Sequence, residues 1–108
     1  MTRINYQTTD DSFLIVVQGH VGYAAMGNDI VCAAISVLVQ TLLLHMEYVA
    51  DDWEARIDNG YAYVEGKGKD ALASFHTILT GLVAVAEQHP KYISIEEGCT
   101  MKLVVPLE

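Results

Sequence analysis

Cys32 and His20 are the two side chains whose types and settings best suit nucleophilic attack on a carbonyl. A cysteine attacks as its thiolate, and its free pKa of about 8.5 falls where backbone donors or positive charge surround it. Cys32 lies about three residues inside a helix predicted over residues 29–50. There the open N–H groups and the helix dipole favour an anion and would suit the oxyanion formed in acyl transfer. The competing role for a lone cysteine on an apolar helix is a small core side chain. His20 follows the strand FLIVVQ and Gly19 and opens onto a glycine-rich stretch. With a free pKa of about 6.5, an imidazole there can take a proton and return it, although a histidine at a strand end also suits a plain surface position. The order His before Cys is the reverse of papain's, so that signature does not apply.

Asp29, Cys32, Ser36 and Gln40 are spaced by three, four and four residues, which puts them in one polar stripe on an otherwise apolar helix. The stripe either lines a site or forms a narrow solvated strip with Asp29 as helix cap; both readings bring Cys32 near water. Cys99, His45, His76 and His89 have no partners at metal or triad spacing and read as structural. The segment EGKGKD lacks the spacing of a phosphate-wrapping loop. Neither C-x-x-C nor H-E-x-x-H occurs, so no metal or other cofactor is expected.

Positioning these residues requires the following elements. Arg3–Thr8 and Phe13–Gln18 are β-rich runs around Asp10-Asp11-Ser12, which predicts a hairpin. Residues 19–28, with Gly19, Gly22 and Gly27, read as a mobile loop. Asn28 or Asp29 then caps the first helix, whose apolar residues surround nearly its whole circumference. That pattern predicts burial on more than one side, against a sheet or a second subunit. WEARID and YAYVEG flank Asn59-Gly60, a second hairpin in which both turn positions tolerate positive φ. DALASFHTILTGLVAVAEQHP is a second helix, with Leu72, Phe75, Leu79, Leu82, Val83 and Ala86 at helical spacing and Pro90 as its stop. Tyr92–Ile95 and Met101–Val105 read as closing strands. The expected class is α+β, two helices on a largely antiparallel sheet in the order ββαββαβ(β), with residues 1–108 as one domain.

The 108 residues are 52% hydrophobic and carry 14 acidic against 6 basic side chains, a net charge of -8. Phosphate backbones and anionic lipid surfaces repel such a chain, so direct nucleic-acid binding and membrane attachment are not expected. A basic protein partner suits the charge. The apolar run 30–46 contains Cys32, Ser36, Gln40, Thr41 and His45 and reads as a buried helix, too short and polar for a membrane span. The start MTRINYQTTDDS has no secretion-signal pattern, and two cysteines in unlike surroundings do not predict a disulfide, so a reducing compartment is expected.

The residues Gly19-His20-Val21-Gly22 followed by Gly27-Asn28-Asp29-Ile30-Val31-Cys32-Ala33-Ala34-Ile35-Ser36 resemble the pattern G-H-x-G then G-x-D-I-V-C-A-A-x-S of the ribosomal-processing cysteine protease family Prp. Gly81-Leu82 and His89-Pro90-Lys91-Tyr92-Ile93 look like later parts of the same family, so the similarity runs through most of the chain. The resemblance implies a cytoplasmic, homodimeric cysteine endopeptidase that removes a short N-terminal extension from a large-subunit ribosomal protein precursor, with phage relatives acting on virion proteins. It implies Cys32 as nucleophile, His20 as base, and Asp29 and Ser36 as orienting groups. Gly19 would keep the approach to His20 open, and the loop bearing Gly22 and Gly27 would move when substrate binds. Val21 departs from the pattern, since relatives commonly carry a smaller residue there.

Two other function classes are compatible with the same residues. A non-catalytic dimeric adaptor would use the acidic surface to hold a basic ribosomal or viral protein. A redox-sensing thiol would need a resolving cysteine near Cys32, which the sequence does not offer.

Overall fold

The structure, a computed structural model, describes residues 1–19 and 26–98, with residues 26–29 by backbone alone. Its elements follow in the order β1 (Thr2–Thr8), β2 (Ser12–Gln18), α1 (Met26–Val49), β3 (Asp52–Asp58), β4 (Tyr61–Lys67), α2 (Lys69–Gln88) and β5 (Ile93–Glu97). The fold is α+β, with the two helices and two hairpins expected. The second closing strand, Met101–Val105, lies outside the described residues.

The five strands form one sheet in the order β3-β4-β2-β1-β5. All neighbours are antiparallel except β1 and β5, which pair in parallel from Thr2↔Ile93 to Tyr6↔Glu97. Since β2 and β3 both run antiparallel to β4, α1 is the crossover that carries the chain from β2 past β4 to the edge. By the same logic α2 carries it from β4 to the opposite edge. Both helices cover one face, because alternate strand residues there (Ile4, Phe13, Ile15, Val17, Val64 and Ile93) share a buried cluster with the helices. Phe75 of α2 is fully buried, stacks on Phe13 at 4.7 Å between ring centres and meets Tyr6 at 5.6 Å. The α2 positions Phe75 and Leu82 are buried, Leu72, Leu79 and Ala86 flank them, and Val83 falls on the exposed side.

Three expectations change. First, α1 starts at Met26 rather than near residue 29, so Asn28 and Asp29 are inside its first turn and neither is its cap. A helix held by its core-packed middle propagates backwards at one hydrogen bond per residue, and a glycine such as Gly27 subtracts only about 1 kcal/mol. Second, α1 is buried on one side only within this chain. Val31, Ile35, Val39, Leu42 and Met46 face the core, while Ile30, Val37, Leu44 and Tyr48 are exposed. Residues 30–49 are long and apolar enough to cross a membrane by length and composition, contrary to the sequence reading, yet their core stripe is seated on the sheet. Third, only Gly60 in the second hairpin's turn takes a positive φ, 74°, whereas Asn59 does not. That is the pattern of a type II turn, which needs the freedom at its second central position alone.

The sheet face away from the helices holds a small cluster of its own, with Val16 buried beneath Leu14, Tyr61 and Tyr63. The Tyr63 hydroxyl donates to Glu65. Burial first, then that hydrogen bond and the carboxylates of Glu65 and Glu54, raise the Tyr63 pKa well above its ordinary value of 10.0. The folded chain thus holds this proton more tightly than an unfolded chain does. The contribution is complete below pH 10 and is lost as pH rises through the folded-state value. Melting temperature is expected to fall above about pH 10, and to fall less steeply in Tyr63→Phe; equal slopes would show that another group controls alkaline unfolding.

Candidate active site

The core stripe of α1 fixes the rotation of the helix, and the polar stripe beside it faces the gap between α1 and the sheet. A cavity of about 150 Å³ fills that gap. Cys32, Ser36 and Gln40 form its helical wall, so the spacing argument brings three of its four members together. The side chain of Asp29, the fourth, lies outside the described residues. Val17, Ile35, Val39 and Ala62 supply the apolar floor, Ile57 lines it from β3, and Asp58, Gly60 and Tyr61 border it at the β3–β4 turn. The volume is that of one side chain rather than of a drug-sized ligand, which would need at least about 300 Å³.

Cys32 is half-buried, carries a free thiol and packs on the edge of the core. Part of its surface meets the core and part meets the cavity. With α1 starting at Met26, Cys32 is the seventh helical residue, and its N–H belongs to the internal ladder. The open N–H groups of the helix start are those of residues 26–28, one turn earlier. The expectation that Cys32 sits among unpaired first-turn donors is therefore corrected.

Gly19 borders the same cavity. Its N–H donates to the Gly60 carbonyl at 2.9 Å, which ties the end of β2 to the β3–β4 turn. Its φ is 91°, and a Cβ there would stand 2.7 Å from the Met1 carbonyl oxygen. Glycine is thus required by backbone conformation and by contact with β1's start, a reason distinct from the open histidine approach expected from sequence. His20 is the next residue in the chain and lies outside the described residues, as do Val21 and Gly22. Gly27 is in the first turn of α1. Cys99 is likewise outside the described residues. His45, His76 and His89 are on or beside helices away from the cavity, and the His89 N–H closes the end of α2 on the carbonyls of Val85 and Ala86.

Residues 1–94 match the family model for the cysteine protease Prp. The chain belongs to that family. It is a cysteine protease, and the cavity that joins Cys32 to Gly19 is its candidate catalytic centre. Among solved structures, the chain resembles the essential ribosomal processing protease Prp from S. aureus in complex with a substrate peptide, at 17% identity and a TM-score of 0.78 over 91% of this chain and 100% of that one. The same S. aureus protease with a covalently linked product peptide gives 18% identity and a TM-score of 0.76 over the same shares. SMU.848 from Streptococcus mutans gives 23% identity and a TM-score of 0.68, covering 90% of this chain and 93% of that one. No curated protein matches.

Ile57, Asp58 and Tyr61 escaped the sequence reading as cavity residues. Their only signal was the Asn59-Gly60 turn, which fixes the hairpin but not the part of the molecule it meets. Substituting Gly19→Ala is expected to cost about 1–3 kcal/mol through forced positive φ and the Met1 contact. It should also change the rate of Cys32 alkylation; an unchanged urea midpoint would show that the N-terminal strand simply gives way.

Proposed function

We propose that this protease removes a short N-terminal extension from a large-subunit ribosomal protein precursor, with Cys32 as nucleophile and His20 as general base. The observation that carries the reading is the shared cavity of Cys32, Ser36 and Gly19, with His20 the residue next to Gly19. His20 takes the thiol proton, the Cys32 sulfur attacks the scissile carbonyl, and the tetrahedral intermediate expels the amine as His20 returns the proton. Water deprotonated by His20 then releases the acyl group and restores the thiol. Ser36, one turn beyond Cys32 on the same wall, and Asp29, three residues before it, orient the reacting groups. The segment carrying Gly22 moves when substrate binds, and Gly27, expected in the same loop, belongs instead to the first turn of α1.

The S. aureus relative, described as a ribosomal processing protease, supports the substrate class. The net charge of -8 suits a basic ribosomal tail, and a phage virion protein with a similar basic tail is the second substrate considered. A reducing cytoplasm preserves the thiol. Incubated with the precursor, the wild-type protein is expected to yield two products by mass, whereas Cys32→Ala and His20→Ala yield none. Cleavage by Cys32→Ala would end the nucleophile assignment, and intact precursor held tightly by all three proteins would favour the adaptor.

The protein works as a homodimer in this reading, joined through the outer face of α1. Ile30, Val37, Leu44 and Tyr48 are 66%, 63%, 62% and 83% exposed and repeat at seven, seven and four residues, the spacing of a helix seam. Only 28% of the apolar span they belong to is buried within the chain. Val37→Glu combined with Leu44→Glu is expected to convert a dimer into a folded monomer in sedimentation measurements; an unchanged mass would place the seam elsewhere.

A further inference from the structure

We propose that the substrate chain docks as an added strand along the free edge of β3, whose inward side chains lead into the Cys32 cavity. The proposal rests on the protease reading above and names how its substrate is held. Among the described residues, β3 is the terminal strand of the sheet and pairs with β4 alone. Asp58 and Tyr61 flank the two-residue turn, so they exchange both backbone hydrogen bonds, as do Arg56 with Tyr63 and Glu54 with Glu65. The N–H and C=O groups of Ile57, Ala55 and Trp53 therefore point to the unpaired edge.

The side chains of those three residues lie on the helix-covered face, opposite Ala62, Val64 and Gly66. Trp53 and Ile57 nevertheless remain 39% and 49% exposed, because they project past the rim of the core. Open strand edges are normally guarded by lysine, proline or inward-pointing charge, and none of the three residues is of that kind. Ile57 and Asp58 also border the Cys32 cavity, so the free edge is continuous with the candidate catalytic centre. An extended peptide added here gains main-chain hydrogen bonds along the edge, and its alternate side chains fall toward Ile57 and the cavity.

The charge along β3 selects the occupant. Asp52, Glu54 and Asp58 outnumber Arg56 on the outward-facing positions, which favours a peptide carrying lysine or arginine at alternate residues. A second copy paired β3 to β3 would bring acidic strands together, and like charges across strands disfavour it. The inferred occupant is thus an extended basic segment flanking the scissile bond.

The test uses Cys32→Ala and a peptide comprising the N-terminal extension and first mature residues of the large-subunit ribosomal protein. On binding, amide hydrogen exchange at Trp53, Ala55 and Ile57 is expected to slow about tenfold or more, while Glu54, Arg56 and Asp58, already bonded to β4, stay unchanged. In the otherwise wild-type protein, Ala55→Pro removes one edge donor and should lower kcat/KM about tenfold. Ile57→Ser is the second variant if the proline disturbs the circular dichroism spectrum. Cleavage by the wild type without edge protection, or full activity in Ala55→Pro, overturns the docking and leaves the protease reading standing. Protection without cleavage supports the docking and overturns the protease reading. Absence of both overturns both, and protection that depends on protein concentration without peptide assigns the edge to a second copy.

Discussion

Val31, Ile35, Val39, Leu42 and Met46 recur at four, four, three and four residues along α1, and each is no more than 5% exposed. Their seating on the sheet is the constraint from which the rest of the arrangement follows. Each buried aliphatic side chain contributes about 1.5–3 kcal/mol, so rotating α1 by one residue would expose several and bury polar groups in their place. With the rotation fixed, Cys32, Ser36 and Gln40 can only face the gap above the β3–β4 hairpin, and Ile30, Val37, Leu44 and Tyr48 can only face away. One packing decision thus sets both the candidate catalytic wall and the exposed apolar seam.

The opposite wall depends on a different device. The crossover α1 delivers β3 to the sheet edge, and the Gly19 N–H bond to Gly60 then ties the end of β2 to the hairpin turn. Two segments far apart in sequence, residues 17–19 and residues 57–62, are held as one rigid side of the cavity. The helical side comes from a third segment. The site is therefore shared among elements whose relative positions are set by the central strands β4 and β2, the most completely paired strands of the sheet.

Much of this was legible in the chain because the signals were local. Asn59-Gly60 announced a hairpin through turn chemistry, Pro90 announced the end of α2, and the spacing of Cys32, Ser36 and Gln40 announced a common face. Local signals failed where the outcome was decided by energy released elsewhere. Asn28 and Asp29 have cap chemistry, but the core-packed stretch of α1 propagates through them to Met26. The apolar circumference of α1 says nothing about which face meets the core of its own chain, so burial against a sheet or a second subunit was expected, and within this chain one side is seated on the sheet. Ile57 and Asp58 carry no local mark of a cavity, since that role follows from sheet order. The resemblance to Prp rested on a long, specific run of residues, and the family match to residues 1–94 bears it out.

The contact between Gly19 and the Met1 carbonyl gives the amino-terminal end of the chain an unexpected position. Thr2 is buried, donates its N–H to the Tyr92 carbonyl and borders the cavity, so β1 begins at the rim of the candidate site. Whatever is joined ahead of Met1 emerges beside that rim and not at a remote pole of the molecule. An affinity tag at this end is a neighbour of the chemistry and can obstruct it. By the same geometry, a fluorophore attached there becomes a local reporter, positioned to register whether the cavity is empty or filled.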